Sequence, residues 1–229
     1  ILIPKFNLTA RVYGINKTVL NIYKGGYGYA DKQILSNLNL TINAMDKVVI
    51  HGANASGKST LIKAILSNTG IVKSGNWDCP DIVDIGYLDQ HYSQLDLDKT
   101  AVELMQEAVL TWSHAQIRDH LNSFLLRKNE EVNIQSRYLS GGEKVRLSLA
   151  LIAAKMPRLL LLDEITNNVD LETKEHMTMV LRDYPGAFIL ICHDIGFVKK
   201  LNIDLHYQIN NGVFETMPTP HIYNLKNKV

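Results

Sequence analysis

Val48-Val49-Ile50-His51-Gly52-Ala53-Asn54-Ala55-Ser56-Gly57-Lys58-Ser59-Thr60-Leu61-Ile62 is the stretch whose reading decides the fold. Val48-Val49-Ile50 is a short unbroken apolar run, the pattern of a strand covered on both faces in a parallel sheet. Leu61, Ile62, Ile65 and Leu66 then recur at helical spacing, and Ser67-Asn68-Thr69-Gly70 supplies residues that end helices. Between strand and helix, Gly52 to Ser59 fits G-x-x-x-x-G-K-[ST]. Its glycines let the backbone curl so that successive N–H groups face a phosphate, and the helix dipole adds partial positive charge there. Lys58 is expected to reach the β- and γ-phosphates of a nucleotide, and the Ser59 hydroxyl to ligate Mg2+.

Downstream, Leu159-Leu160-Leu161-Leu162 and Phe188-Ile189-Leu190-Ile191 are further buried-strand runs, separated by a helical stretch around Glu172 to Arg182. Asp163 ends the first run, where open α/β sheets bind ligands, and is expected to hold Mg2+ through its water shell. Glu164, one residue further, suits polarising a water for in-line attack on the γ-phosphate. His193 follows the second run at its C-terminal end and is expected beside the γ-phosphate.

The flanks differ in texture. In the first forty-five residues, Val19 to Tyr23 and Leu38 to Ile42 alternate like half-buried strands, separated by Gly25-Gly26-Tyr27-Gly28-Tyr29, so residues 1–45 are expected to form a mainly antiparallel β subdomain. Residues 96–138 are polar and helix-favouring, with Val102, Met105, Val109, Ile117, Leu121 and Leu125 at spacings near three and four, a helical subdomain. A helix after Gly142 carries Leu147, Ala150, Leu151 and Ala154 and stops before Pro157. Leu205 to Ile209 and Val213 to Thr216 read as a hairpin turning at Asn211-Gly212.

A chain of 229 residues can bury a core without disulfide or metal staples, and 46% hydrophobic with 21% charged residues argues against disorder and coiled coil. The net charge of +1 excludes a protein that coats nucleic acid through phosphate contacts alone. Lys5, Arg11, Lys17 and Lys24 make the first segment locally basic, a pattern more common on solvated faces than on binding surfaces. No apolar run approaches the roughly 18–20 residues needed to cross a bilayer. Cys79 and Cys192 lack zinc-site spacing and read as free thiols of a reducing cytoplasm.

Together these residues resemble the ATP-binding cassette (ABC) ATPases, and Leu139-Ser140-Gly141-Gly142-Glu143 is similar to that family's signature. The resemblance runs from about Tyr23 to Met217 and implies an α/β P-loop NTPase of ABC type: a parallel core sheet with an antiparallel β subdomain and a helical subdomain, one cassette over residues 1–229. It places Gly52, Asn54, Ala55, Ser56, Gly57, Lys58, Ser59 and Thr60 on ATP and implies Ser59, Gln90 and Asp163 around Mg2+. Glu164, His193 and Gln90 are the implied catalytic residues, Gln90 touching both Mg2+ and the attacking water. Tyr29, 23 residues before Gly52, matches the adenine-stacking aromatic, with Tyr27 a competing choice, and Asp170 matches the D-loop position. Ser140, Gly141 and Gly142 are implied to close over the γ-phosphate of a second cassette, in the same full-length chain or a homodimer, so the isolated domain is expected to hydrolyse ATP weakly.

Ile85 to Tyr92, Glu143 and Thr166-Asn167-Asn168 look most like the ABC-F subfamily, which implies a cytoplasmic ATPase acting on the ribosome or another RNA without membrane insertion. The alternatives are the nucleotide-binding subunit of an ABC membrane transporter and a cassette that holds ATP as a clamp and hydrolyses little. Ala55, Ile165 and Asn168 depart from the family's usual glycine, proline and histidine without removing a catalytic group. Because the sequence starts at Ile1 and the signature needs a partner, a C-terminal half of a two-cassette protein is expected.

Overall fold

The computed structural model describes residues 17–218 except 168. Ile1, Lys5, Arg11 and Asn168 lie outside the described residues. The chain opens with two long strands, β1 (Thr18–Tyr29) and β2 (Lys32–Asn43), paired antiparallel, and β4 (Val72–Asp78) joins the free edge of β1. The glycine-rich stretch therefore continues β1 instead of separating two strands. Its glycines are spacing devices: a Cβ at Gly28 would stand 2.3 Å from the Lys32 carbonyl oxygen on the neighbouring strand. β4 also extends the antiparallel sheet beyond residue 45, and its almost wholly exposed residues carry no alternation from which a strand is read.

The second sheet has the order β5-β6-β7-β3-β8-β9. Its strands β3 (Lys47–His51), β5 (Ile85–Asp89), β6 (Leu159–Asp163), β7 (Ala187–Ile191) and β8 (Leu205–Asn210) pair in parallel, and β9 (Val213–Met217) closes the edge as an antiparallel hairpin. Asn211 at φ 48° and Gly212 at φ 76° make the expected turn. The central strands carry apolar side chains on both faces, and this places a core on each side of the sheet. Val48, Ile50, Leu159, Leu161, Ile189 and Ile191 pack with α1 (Lys58–Ile65) and the antiparallel sheet. Val49, Leu160, Leu162, Phe188 and Leu190 face the helices.

Those helices are α2 (Ala101–Ala108), α3 (His114–Ser123) and α4 (Asn129–Asn133), followed by α5 (Gly141–Lys155), α6 (Leu171–Asp183) and α7 (Ile195–Lys199). Capping boxes start α2 at Thr100/Glu103, α3 at Ser113/Gln116 and α5 at Ser140/Glu143, each a side chain accepting from the backbone N–H three residues on. Leu125 is not on a helix as its spacing suggested. It lies past the end of α3 at φ 64°, while Phe124 and Leu126 fill the core.

Candidate active site

The chain leaves β3 at one end of the sheet, returns through α1, and later deposits the ends of β5, β6 and β7 along the same edge. Because neighbouring parallel strands end together, Gln90, Asp163-Glu164 and Cys192-His193 fall in line with the loop after β3. This is the crevice outside the carboxyl ends of strands where open α/β sheets take ligands.

Gly52 and Gly57 occupy φ 150° and 105°, and Gly57 is the N-cap of α1. Ala55 sits between them at φ 61°, a left-handed conformation that glycine takes without a steric penalty. Lys58 is buried and its Nζ donates to the carbonyls of Gly52 and Ala53, both at 2.8 Å. Burial lowers its pKa, while Glu164 and Asp163 pull it back up. Asn54, Ala55 and Ser59 are exposed, Ser56 and Thr60 are half-buried, and Ser56 Oγ has no hydrogen-bond partner among the described residues.

Asp163 is buried and its Oδ1 has no partner among the described residues. Burial pushes its carboxyl up, Asp89 on the adjacent strand adds to this, and Ser59 and Lys58 act against it. Glu164 follows at φ 55°, its N–H donating to the Ile191 carbonyl at 2.9 Å. Its Oε1 lies 3.1 Å from His193 Nε2, and its Oε2 is buried without a partner. Burial raises the Glu164 pKa, Asp163 reinforcing and His193 and Lys58 opposing. Buried carboxylate oxygens left without donors suit an incoming cation and a water better than a solvated turn. Among the described residues no group of three or more His, Cys, Asp or Glu is placed to hold a metal.

Gln90 Oε1 accepts from Asn167 Nδ2 at 3.4 Å, and its Nε2 lies 3.0 Å from His91 Nε2. Thr166 in the same turn is buried, with its hydroxyl 3.3 Å from Cys192 Sγ. The two tyrosines separate cleanly: Tyr29 is exposed at the end of β1, whereas Tyr27 is buried and its hydroxyl donates to the Gly57 carbonyl at 3.1 Å. Tyr27 thus braces the phosphate loop from below, a task that sequence spacing did not reveal. Equally unforeseen is a cavity of about 250 Å3 beside the loop, walled by Lys58, Cys192, His193 and Ile195 and by the pair His51 and His206. These two rings stack at 5.5 Å, with Nε2 of His51 3.3 Å from Nδ1 of His206.

Ser140 and Gly141 are exposed at the start of α5. The Ser140 hydroxyl accepts from the Glu143 N–H, and Glu143 Oε2 accepts from the Ser140 N–H at 2.7 Å. Gly142 packs against Asp170 and Thr173. Asp170 caps α6 with both carboxylate oxygens on Thr173, which holds its carboxyl below the usual range.

A sequence profile described as ABC transporter matches residues 35–167. The chain is 39% identical over 180 residues to the protein of Haemophilus influenzae named "Probable ATP-binding protein YheS", covering 76% of this chain and 28% of that protein. It is 32% identical over 214 residues to ABC transporter F family member 5 of Arabidopsis thaliana, covering 92% of this chain and 30% of that protein. A third relative, the ATP-binding protein Uup of Haemophilus influenzae, is 33% identical over 188 residues, covering 80% and 29%. The chain thus spans under a third of the length of these relatives. Among the described residues no helix is long and apolar enough to cross a membrane. With the phosphate loop, the Asp163-Glu164 strand end and the Ser140 helix start arranged as above, the chain belongs to the ABC transporter family, as a cassette of the ABC-F kind.

Proposed function

We propose that this cassette closes against a second cassette around ATP, and that closure and hydrolysis control the binding of a soluble, cytoplasmic ABC-F-type protein to the ribosome or another RNA. The observation that carries this reading is the division of the site. The groups suited to hold and cleave ATP line one edge of the sheet, whereas Gly142 of the signature turn packs on Asp170 and Thr173 and leaves Ser140 and Gly141 exposed.

In this reading Lys58 exchanges its two loop carbonyls for phosphate oxygens, and Tyr29 stacks on adenine. Gly52, Asn54, Ala55, Ser56, Gly57 and Thr60 cradle the phosphates. Ser59, Asp163 and Gln90 would hold Mg2+, which when bound draws charge from the phosphate oxygens. Glu164, ionised, takes a proton from the attacking water, and His193 keeps the Glu164 carboxylate oriented and contacts the γ-phosphate. Ser140, Gly141 and Gly142 reach the γ-phosphate held by the partner, with the N-terminus of α5 favouring the anion.

Glu164→Gln keeps the shape of the site and removes the base. In the intact protein it is expected to cut ATP turnover by about 100-fold or more and to trap the closed state, seen as ATP-dependent co-sedimentation with ribosomes that ADP does not support. Closure without any ATP-dependent association would remove the ribosome from this reading. No closure at all would remove the two-cassette arrangement.

A further inference from the structure

We propose that Arg146 and Thr173 are positioning residues that lock the signature turn to the turn following Glu164, so that a phosphate engaged by the first sets the carboxylate of the second. The inference rests on the two-cassette reading above.

Thr173 stands at the centre of a short chain of hydrogen bonds between the first turns of α5 and α6. Its N–H donates to Asp170 Oδ1 at 2.8 Å and its hydroxyl donates to Oδ2 at 2.8 Å. With that proton committed, the hydroxyl oxygen accepts from Arg146 Nη2, also at 2.8 Å. Gly142 lies directly on this network: a Cβ there would meet Asp170 Oδ2 at 2.9 Å and Thr173 Oγ1 at 3.1 Å. Gly142 has no positive φ, so the glycine is needed for space and not for backbone conformation. The signature turn and the Asp170 turn therefore touch with nothing compressible between them.

The path onward is as short. Asp170 lies six positions after Glu164, and the first part of the turn is pinned by Thr166 on Cys192 and by the Asn167 N–H, which returns to the Glu164 carbonyl at 3.4 Å. Arg146 is more than α6 requires for its cap. Asp170 accepting from the Thr173 N–H already satisfies the helix start. The guanidinium is instead taken largely out of water, with its Nε buried and unpartnered and the nearest Glu172 oxygen 3.9 Å away. Burying a donor without an acceptor is unfavourable. Fixing the Thr173 hydroxyl from the signature helix is what that arrangement achieves.

The decisive pair is Thr173→Val, which keeps the shape and removes the hydroxyl, and Thr173→Ser, which restores it. In the intact protein Thr173→Val is expected to lower kcat about tenfold with KM for ATP held within about twofold, and Thr173→Ser to recover most of the loss. Arg146→Gln is expected to match Thr173→Val, and the double variant to be no slower than either single one, because both cut one path. Equal kcat for the Val and Ser variants, a loss expressed in KM, or a loss that tracks the folded fraction measured by thermal melting would each overturn the relay. In a Glu164→Gln background, Thr173→Val is expected to leave ATP-dependent closure intact and Ser140→Ala to abolish it. Closure lost in Thr173→Val would make the network part of the docking surface and overturn its positioning role. Closure retained in Ser140→Ala would overturn the two-cassette reading on its own.

Discussion

Ala55 is held at φ 61° in the middle of the phosphate loop, where a β-carbon costs about 1–2 kcal/mol relative to glycine. Part of that is offset in the unfolded chain, which alanine restricts more than glycine by about 0.4–1 kcal/mol. Ala55→Gly is therefore expected to stabilise the fold by about 0.5–1 kcal/mol, a rise of about 1–4 °C in Tm for a chain of this size. The methyl group is exposed, so ATP affinity should hold or improve; a lower Tm would show that the loop relaxes around alanine. Residues whose chemistry demands a fixed order were legible in the sequence: Lys58 and Ser59 after the glycines, and Asp163 with Glu164 after four leucines. The Tyr27 hydroxyl was not, because its partner at Gly57 is 30 positions away and only the fold brings the two together. For Asp170 the D-loop position was read from the sequence, while its local cap bonds to Thr173, three residues on, were not.

At the scale of elements, α3 is held by two imidazoles, those of His120 and His176. His120 Nε2 faces the Ala150 carbonyl of α5 at 2.8 Å, and His176 Nε2, from α6, faces the Ser123 carbonyl at the end of α3 at 3.3 Å. The Phe124 ring lies between them, 5.0 and 5.6 Å from the two imidazoles. Burial lowers both pKa values, opposed by the carbonyl contacts; Arg146 and Arg127 depress His176 further while Glu172 works the other way. Protonation would also leave a buried N–H at His176 Nδ1, which has no partner among the described residues. Both rings thus favour the neutral form in the fold, whereas in the unfolded chain they take up protons near pH 6.5. The unfolded state binds more protons below that value, so this contribution is present at pH 7.5 and is lost as pH falls through about 6.5 and below. Between pH 7.5 and 5.5 the α3 amides are expected to lose exchange protection, and His176→Gln to reduce that change; an equal change in both proteins would remove His176 from the effect. Periodicity made α5 and α6 legible, because apolar residues recur along each. It failed for β4, which buries almost nothing, and for β1, where glycines that ordinarily interrupt a strand are what permit close pairing.

For the molecule as a whole, the parallel sheet is a shared wall between two cores, since alternate residues of one strand feed opposite sides. On β6, Leu159 and Leu161 face α1 and the antiparallel sheet, while Leu160 and Leu162 face the helices. Damage to this strand cannot be confined to one side, because its backbone pairs with β5 and β7 whichever face is altered. Met105 of α2 is equally buried but sits in the helical part between residues 96 and 138, attached to the sheet through side chains and not through a strand ladder. Leu161→Ala and Met105→Ala remove comparable apolar volume and are each expected to cost about 2–5 kcal/mol. Their distribution should differ. Leu161→Ala is expected to raise hydrogen exchange across β3, β6, β7 and α1 together with α5, whereas Met105→Ala should open α2, α3 and α4 first as a sub-global unit. A Met105→Ala protein that loosens β3 and β7 as much as α2 would show one indivisible cooperative unit. The expected result leaves the sheet edge that carries Lys58, Asp163 and Glu164 fixed while the helical part yields. That combination suits the two-cassette reading proposed above, because Lys58, Asp163 and Glu164 keep their spacing, with the start of α5 held beside them, while α2, α3 and α4 adjust.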